Sequence, residues 1–159
     1  MNSFYGSFQH TLDAKGRVSI PAHFRTVLGG QNLLHVMFSV DHPVAEVGGP
    51  SMTEWYEKRL AEIDPLSEEY EIWAFHLLGD ALYLKIDSEG RIPLDDRVRE
   101  HTGITDKVLF EGRGLFFWLW EPGKYASYRT EARAKVRQLR RNLGSASGAP
   151  ALAGRRAEP

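Results

Sequence analysis

The chain has 159 residues, of which 42% are hydrophobic and 26% charged, and its formal net charge is −1 at pH 7. These values are ordinary for a globular protein and exclude a chain that is basic throughout. We expect neither a transmembrane helix nor a secretory signal, because no long uncharged apolar run occurs. Without cysteine there is no disulfide and no thiolate metal site, which fits a cytoplasmic location.

Two charged blocks of opposite sign lie behind the near-zero total. Residues 54–71 carry seven acidic and two basic side chains, a net charge of −5, and residues 124–141 carry seven basic and one acidic, a net charge of +6. The basic segment can bind phosphate groups, or it can pack against the acidic segment of the same or a neighbouring subunit. We favour the packing interpretation, because blocks of similar size and opposite sign attract.

One short motif occurs twice. Residues 13–17 (Asp-Ala-Lys-Gly-Arg) return as residues 87–91 (Asp-Ser-Glu-Gly-Arg), and every shared residue recurs after 74 positions. The same offset relates further pairs outside the motif: Leu12 and Ile86, Val18 and Ile92, Phe24 and Val98, Arg25 and Arg99, and Gly29 and Gly103. A constant offset over so many positions predicts two copies of one structural unit.

The first copy reads as strands and one short helix. Gly16 is the natural residue for a positive φ in the turn of the motif. Pro21 suits the first turn of a helix that ends at Gly29. The predicted elements are, in order, a strand (4–12), a turn (14–16), a strand (17–20), a helix (22–28) and two strands (33–40 and 44–47).

Two helices are predicted between the copies, over residues 52–63 and 67–78. Ser51 is predicted to cap the first of them, with Glu54 completing a capping box, and Asp95 is predicted to cap the helix of the second copy. That copy and the C-terminus contain a strand (81–86), the second turn (87–91), a helix (96–102), a hairpin (107–111 and 114–120), a basic helix (125–143) and a disordered tail (144–159).

The repeated turn supports two compatible interpretations. In the structural one, the Asp and Arg of each turn face each other and only pin the hairpin, which contributes little when the pair is exposed. In the functional one, an Arg held by Asp is pre-oriented and loses less entropy when it meets a partner. A guanidinium group can grip a phosphate or the edge of guanine with two parallel hydrogen bonds. Asp can therefore orient the Arg that contacts DNA.

No catalytic constellation is present in the sequence. The six histidines are scattered without the close spacing of metal ligands, so we expect no metal site. Neither a nucleophilic serine motif nor a glycine-rich phosphate loop occurs. Trp118 and Trp120 are expected in the core or at an interface rather than as platforms for bases. We predict that the protein is not an enzyme, has no catalytic residues and binds no cofactor.

The residues around the two turns resemble the MraZ family of bacterial transcriptional regulators. The resemblance covers residues 3–128 and rests on Phe4, Gly6, residues 11–25, His42-Pro43, Glu54-Trp55, residues 77–81, residues 87–92 and Gly103-Ile104. It implies an α+β, mostly β fold in which two AbrB-like, swapped-hairpin, β-barrel-type repeats form an intrachain pseudo-dimer. The implied divisions are a first repeat (7–50), a helical insert (51–80), a second repeat (81–124), a C-terminal helix (125–143) and the tail (144–159).

The resemblance also implies sequence-specific binding to double-stranded DNA. The implied role is a nucleoid-associated transcriptional regulator, usually a repressor, that assembles into a homo-oligomeric ring. Its sites would be direct repeats in the promoter of the division and cell-wall gene cluster, including its own gene. Carried over by position, the DNA contacts are Lys15, Gly16, Arg17 and Arg91, the orienting or structural residues are Asp13, Asp87 and Gly90, and the secondary DNA candidates are Arg25 and Arg99. The alternative is a protein-interaction module of the antitoxin type on the same fold.

This sequence departs from the family pattern near both turns. Tyr5 replaces a basic residue that is usual in the family, and Glu89 stands where the first copy has Lys15. The second turn is therefore less cationic than the first. We expect Arg17 to be the more important of the two turn arginines.

Overall fold

The computed structural model describes residues 2–145. Within them it contains eight strands, five α-helices and one π-helical turn. These are β1 (Ser7–Thr11), β2 (Arg17–Ser19), α1 (Ala22–Leu28), β3 (Leu33–Phe38), β4 (Ala45–Gly48), α2 (Pro50–Ala61), α3 (Glu68–Ala74), the π-helical turn (Phe75–Gly79), β5 (Leu82–Lys85), β6 (Arg91–Pro93), α4 (Asp96–Thr102), β7 (Lys107–Gly112), β8 (Phe117–Trp120) and α5 (Pro122–Ser145).

The chain packs as two compact units, one ending at Pro122 and one beginning at Gly123. In the second unit, α5 is longer than the helix predicted over residues 125–143 and includes the first two residues of the predicted tail, Gly144 and Ser145. The rest of that tail lies outside the described residues.

The offset found in the sequence recurs in the structure. Strand β6, helix α4 and strand β7 begin 74 residues after β2, α1 and β3, since 91 − 17, 96 − 22 and 107 − 33 are all 74. Strand pairing follows the same rule. Phe8 of β1 lies opposite Phe110 of β7, and the counterpart residues Leu82 of β5 and Val36 of β3 also lie opposite each other. The first strand of each copy therefore pairs with the other copy.

The strands form a six-stranded antiparallel sheet and a two-stranded ribbon. The sheet order is β1-β7-β8-β4-β3-β5, and the ribbon pairs β2 with β6 so that Val18 faces its counterpart Ile92. If β1 is exchanged with β5, β7 with β3 and β8 with β4, the sheet order reads the same from either end. The unit therefore has pseudo-twofold symmetry. The fold is α+β with mostly antiparallel strands. Within residues 2–145 the large sheet has β1 and β5 as edges, so these strands form no closed barrel.

The larger hydrophobic core draws on both copies. The rings of Phe24 on α1 and Phe117 on β8 lie 4.9 Å apart at the centre of it. Counterpart residues are buried together in this core: Val18 and Ile92, Ile20 and Leu94, Phe24 and Val98, and Leu34 and Val108. Neither copy covers its apolar face alone, so the two copies fold as one packed unit.

The predicted cap of the first insert helix is wrong. Helix α2 begins at Pro50, its N-cap is Gly49, and no side chain caps it. Proline fits the first helical position because its fixed φ suits the helix and its missing N–H needs no partner there. The helix therefore starts before Ser51, which lies inside the first turn and cannot act as the cap.

The cap predicted at Asp95 is confirmed, and Ser67, for which no cap was predicted, also caps its helix. The Ser67 hydroxyl accepts a hydrogen bond from the Tyr70 N–H at 3.1 Å. The Asp95 carboxylate accepts one from the Arg97 N–H at 2.8 Å. Helix α3, which Ser67 starts, changes to a π-helical turn at Phe75 where the sequence predicted a continuous helix.

Glu46 on β4 ties the insert to the sheet. Its carboxylate accepts hydrogen bonds from the Tyr56 hydroxyl on α2 at 2.5 Å and from the Trp118 indole on β8 at 3.1 Å. Burial and the hydrogen bond to Glu46 raise the pKa of Tyr56. Trp118 and Trp120 are buried, as predicted for core residues.

His35 on β3 is buried beneath the insert. Its Nε2 donates to the Leu77 carbonyl at 3.1 Å, whereas its Nδ1 is buried with no hydrogen-bond partner within residues 2–145. Burial lowers the pKa of His35. The neutral ring is therefore the form that this site accepts, because protonation would add an unpaired charge in an apolar setting.

Candidate nucleic-acid interface

The first turn is closed by its own aspartate. Asp13 Oδ1 accepts hydrogen bonds from the N–H groups of Lys15 and Arg17, both at 2.9 Å, and Asp13 Oδ2 accepts one from Arg17 Nε at 2.9 Å. Gly16 has a φ of +76°, a conformation that favours glycine. Hydrogen bonding, first from the Arg17 N–H, lowers the pKa of Asp13. The carboxylate therefore stays charged and holds the guanidinium group by its inner nitrogen.

The second turn repeats this geometry. Asp87 accepts from the N–H groups of Glu89 and Arg91 and from Arg91 Nε, all at 2.9 Å. Gly90 has a φ of +78°, and the pKa of Asp87 is lowered, first by the Arg91 N–H. The sequence predicted the turns and the facing of Asp and Arg, and the structure adds that Nε of each arginine is the bonded atom.

The secondary candidates lie at the turns in a crossed arrangement. A Cβ atom placed on Gly16 would lie 2.8 Å from Arg99 Nη2, and one placed on Gly90 would lie 2.5 Å from Arg25 Nη1. Each turn is therefore flanked by the arginine of the other copy's helix. Arg99 Nε is buried without a hydrogen-bond partner among the described residues.

The two turns form one continuous surface. The Ile20 N–H donates to the Gly90 carbonyl at 2.9 Å, and the Leu94 N–H donates to the Gly16 carbonyl at 3.0 Å. Arg91 Nη1 lies 3.9 Å from Asp13 Oδ2, an ion-pair distance between the turns. The sequence-predicted residues brought together here are Asp13, Lys15, Gly16, Arg17, Arg25, Asp87, Gly90, Arg91 and Arg99.

The tips of the two turn arginines differ. Arg91 Nη2 is in contact with the Glu89 carboxylate. The pKa of Arg91 is raised, first by its hydrogen bond to Asp87 and further by the charge of Glu89. For Arg17, neither Nη group makes a hydrogen bond or an ion pair within residues 2–145. The first turn therefore presents open donors, and the second turn is partly neutralised by its own glutamate.

The role of His10 beside these turns was not predicted from the sequence. His10 Nδ1 donates to the Ser19 carbonyl at 2.7 Å and so joins β1 to the strand that follows the first turn. Its counterpart after 74 positions is Leu84, so the second copy lacks this bond. The sequence could have indicated this role, because a polar residue in the first copy corresponds to an apolar residue in the second.

Comparison with known proteins places this two-copy fold in a family. The chain matches the family model described as "MraZ protein, putative antitoxin-like" over residues 3–41 and 77–143. The unmatched stretch between them contains β4, α2 and α3. The chain belongs to the MraZ family.

Several curated relatives carry the name "Transcriptional regulator MraZ". The one from Azorhizobium caulinodans is 45% identical over 150 residues, covering 93% of this chain and 96% of that protein. The one from Beijerinckia indica is 42% identical over 152 residues, covering 94% of this chain and 93% of that protein. The one from Parvibaculum lavamentivorans is 40% identical over 148 residues, covering 91% and 92%. By name these relatives are regulators of transcription.

The part of the chain that the structure describes contains neither a membrane-spanning helix nor a metal-binding cluster. Within residues 2–145, none of the helices combines the length and apolar character that crossing a bilayer requires. In the same residues, histidine, aspartate and glutamate side chains form no group of three or more that could hold a metal ion.

Proposed function

We propose that this chain is a sequence-specific, DNA-binding transcriptional regulator that contacts promoter DNA with its paired turns. The observation that carries the proposal is Arg17, held through Nε by Asp13 while both Nη groups stay open. A guanidinium group in this state offers two parallel donors in a fixed direction. It suits a phosphate, or the O6 and N7 atoms of guanine, at a reduced entropic cost.

The surroundings of Arg17 favour an anionic partner. Lys15 and Arg99 add positive charge at the same turn. The positive charge of the Arg99 guanidinium group beside Gly16 supports an anionic partner at this turn. Backbone phosphates would position the protein, and contacts to base edges would supply the sequence preference.

The finer features of the proposal come from the family resemblance and from the pairing of strands between copies. We propose that the copies form an intrachain pseudo-dimer of the swapped-hairpin type, with the insert and α5 as additions. The proposed sites are direct repeats in the promoter of the division and cell-wall gene cluster, including the protein's own gene, with repression as the outcome. The proposed location is the cytoplasm, on the nucleoid.

Self-association is part of this proposal. Each chain offers only a few contacts to DNA, so useful affinity requires several chains bound at repeated sites through a high effective concentration. A homo-oligomeric ring would supply such an array. Binding should fall steeply with salt, because contacts with phosphates release counterions.

A gel-shift experiment tests the proposal. The probe is DNA from upstream of the protein's own gene, and the control is the same DNA with its repeats scrambled. Specific regulation predicts a shift with the intact repeats at physiological salt and much weaker binding to the scrambled DNA. Equal binding to both probes, or none to either, would contradict the proposal.

The alternative is a protein-interaction module of the antitoxin type, which the family description "putative antitoxin-like" favours. Such a module would use the same fold to hold a protein partner. Absence of binding to the upstream DNA, together with a stable complex with a partner protein encoded nearby, would support this alternative over the first.

A further inference from the structure

An apolar groove opens on the insert. It has a volume of about 840 Å³ and is lined by side chains of α2, α3, the π-helical turn and the adjoining strands. Ile72 and Phe75 line it and remain 57% and 59% exposed, and Trp55 and Trp73 line it at 42% and 45%. Large apolar side chains that converge on one concave surface while open to solvent mark an interaction site.

Helix α5 carries a surface of matching character. Val136, Leu139 and Leu143 recur at spacings of three and four residues, which places them on one helix face, and they are 55%, 66% and 54% exposed. At 100° per residue, Arg133 and Arg140 follow one edge of this apolar stripe and Lys135 follows the other.

Charge selects between possible partners for that stripe. Residues 124–141 have a net charge of +6, and residues 54–71, which include most of α2 and the start of α3, have a net charge of −5. Two copies of α5 would repel each other, whereas α5 and the acidic insert attract. The apolar stripe and the charges that border it therefore both favour the groove on the insert.

We propose that the groove on the insert of one chain receives α5 of a second copy of this chain. The apolar stripe enters the groove, and the basic residues along its edges meet the acidic insert. Because the groove and the helix are different surfaces, the contact is heterologous, and it closes either as a ring or as a reciprocal exchange between two chains. The proposal deepens the self-association proposed above and does not depend on DNA contact, since none of these residues belongs to the two turns.

Cysteine cross-linking tests the proposal in the full chain, which has no cysteine of its own. A tagged Ile72→Cys variant is mixed with an untagged Leu139→Cys variant under a mild oxidant. The proposal predicts a disulfide-linked heterodimer that forms less at high salt. The matched control replaces the first partner with Leu66→Cys, which is 94% exposed in the same insert but does not line the groove. That mixture should link several-fold less.

Three results would overturn the proposal. The first is equal linking by the Ile72 and Leu66 variants, including no linking by either. The second is preferential linking of Leu139→Cys to itself. The third is closure of an internal disulfide in the doubly substituted chain while the mixed pair does not link, which would place the helix in the groove of its own chain.

Light scattering gives an independent measurement. Leu139→Glu should reduce the mass of the assembly, whereas Gln138→Glu, which changes a residue outside the apolar stripe, should leave it unchanged. An unchanged mass for Leu139→Glu would contradict the proposal. Failure here is distinguishable from failure of the DNA-binding proposal, because binding of a single upstream repeat by the turns can be measured separately.

Discussion

The Glu89 carboxylate contacts the guanidinium group of Arg91, whereas the equivalent position in the first turn is occupied by Lys15. The two turns are otherwise matched, with the same hydrogen bonds from the backbone and from arginine Nε to aspartate. One residue therefore separates a turn with an open guanidinium group from a turn whose guanidinium group is occupied. This difference makes the two halves of the pseudo-twofold surface unequal in charge.

Removal of Glu89 should strengthen DNA binding. Glu89→Ala frees Arg91 Nη2 while Asp87 still holds Nε, and Glu89→Lys makes the second turn like the first. We expect affinity for the upstream repeats to rise by roughly two- to tenfold, as for the loss of one repulsive charge at a DNA interface. Fluorescence anisotropy at fixed salt measures this, with Ser88→Ala in the same turn as the control. Unchanged or weaker binding by both Glu89 variants would show that Arg91 does not meet DNA.

Loss of the orienting carboxylate should weaken binding even though the protein becomes more positive. In Asp13→Asn one side-chain oxygen can still accept the backbone N–H groups, but the amide NH₂ then faces Arg17 Nε as a second donor. We expect lower affinity for the intact repeats and little change for scrambled DNA. Asp41→Asn, which makes the same charge change on an exposed loop, is the matched control. A rise in affinity with Asp13→Asn would mean that net charge, rather than orientation, governs binding.

The hydrogen bond between Tyr56 and Glu46 should stabilise the attachment of the insert to the sheet. Tyr56→Phe leaves one carboxylate oxygen of Glu46 without this donor, and a hydrogen bond to a charged group contributes about 1.5–3 kcal/mol. We expect the free energy of unfolding to fall by an amount in that range. A double-mutant cycle with Glu46→Ala, measured by urea denaturation, isolates the coupling. Additive effects of the two substitutions would show that the bond contributes nothing.

The buried His35 should make stability sensitive to mildly acidic pH. Its pKa is lowered in the folded protein by burial, so the unfolded chain takes up a proton first as the pH falls below about 6.5. The neutral His35 ring therefore makes its full contribution to the free energy of unfolding above that pH. This contribution decreases as the pH falls toward the lowered pKa of His35 in the folded protein. Between pH 7.5 and 5.5, the wild type should lose more unfolding free energy than His35→Gln, which keeps a donor for the Leu77 carbonyl. Equal losses would contradict this assignment.

The repeat could be predicted from the sequence because motif, glycine and apolar positions all shift together by one offset. That shift was visible at Val18 and Ile92 without any structure. The crossed placement of Arg25 and Arg99 could not be predicted, because it depends on which copy supplies the strand partner. The pairing of strands between the copies depends on the core that both copies share, and not on the local sequence pattern. Both residues were named as candidates, but each lies at the turn of the other copy.

The sequence did not predict local details correctly where two sequence signals competed. Ser51 has the residue type and the spacing of a capping box, but Pro50 starts the helix first. Glu89 was visible as a charge difference, but its contact with Arg91 depends on how the turn directs side chains two residues apart. Sequence therefore indicated that the second turn is less cationic, and the structure supplies the mechanism.

Binding of the upstream repeats by Arg17→Ala is the most direct test of the central claim. The variant is compared with wild type and with Arg97→Ala, which removes an exposed arginine paired with Asp80 instead of one at a turn. Anisotropy at physiological salt should show a loss of roughly tenfold or more for Arg17→Ala, as expected for a bidentate contact. Circular dichroism and the mass of the assembly should be unchanged. Retention of wild-type affinity by Arg17→Ala would contradict the account.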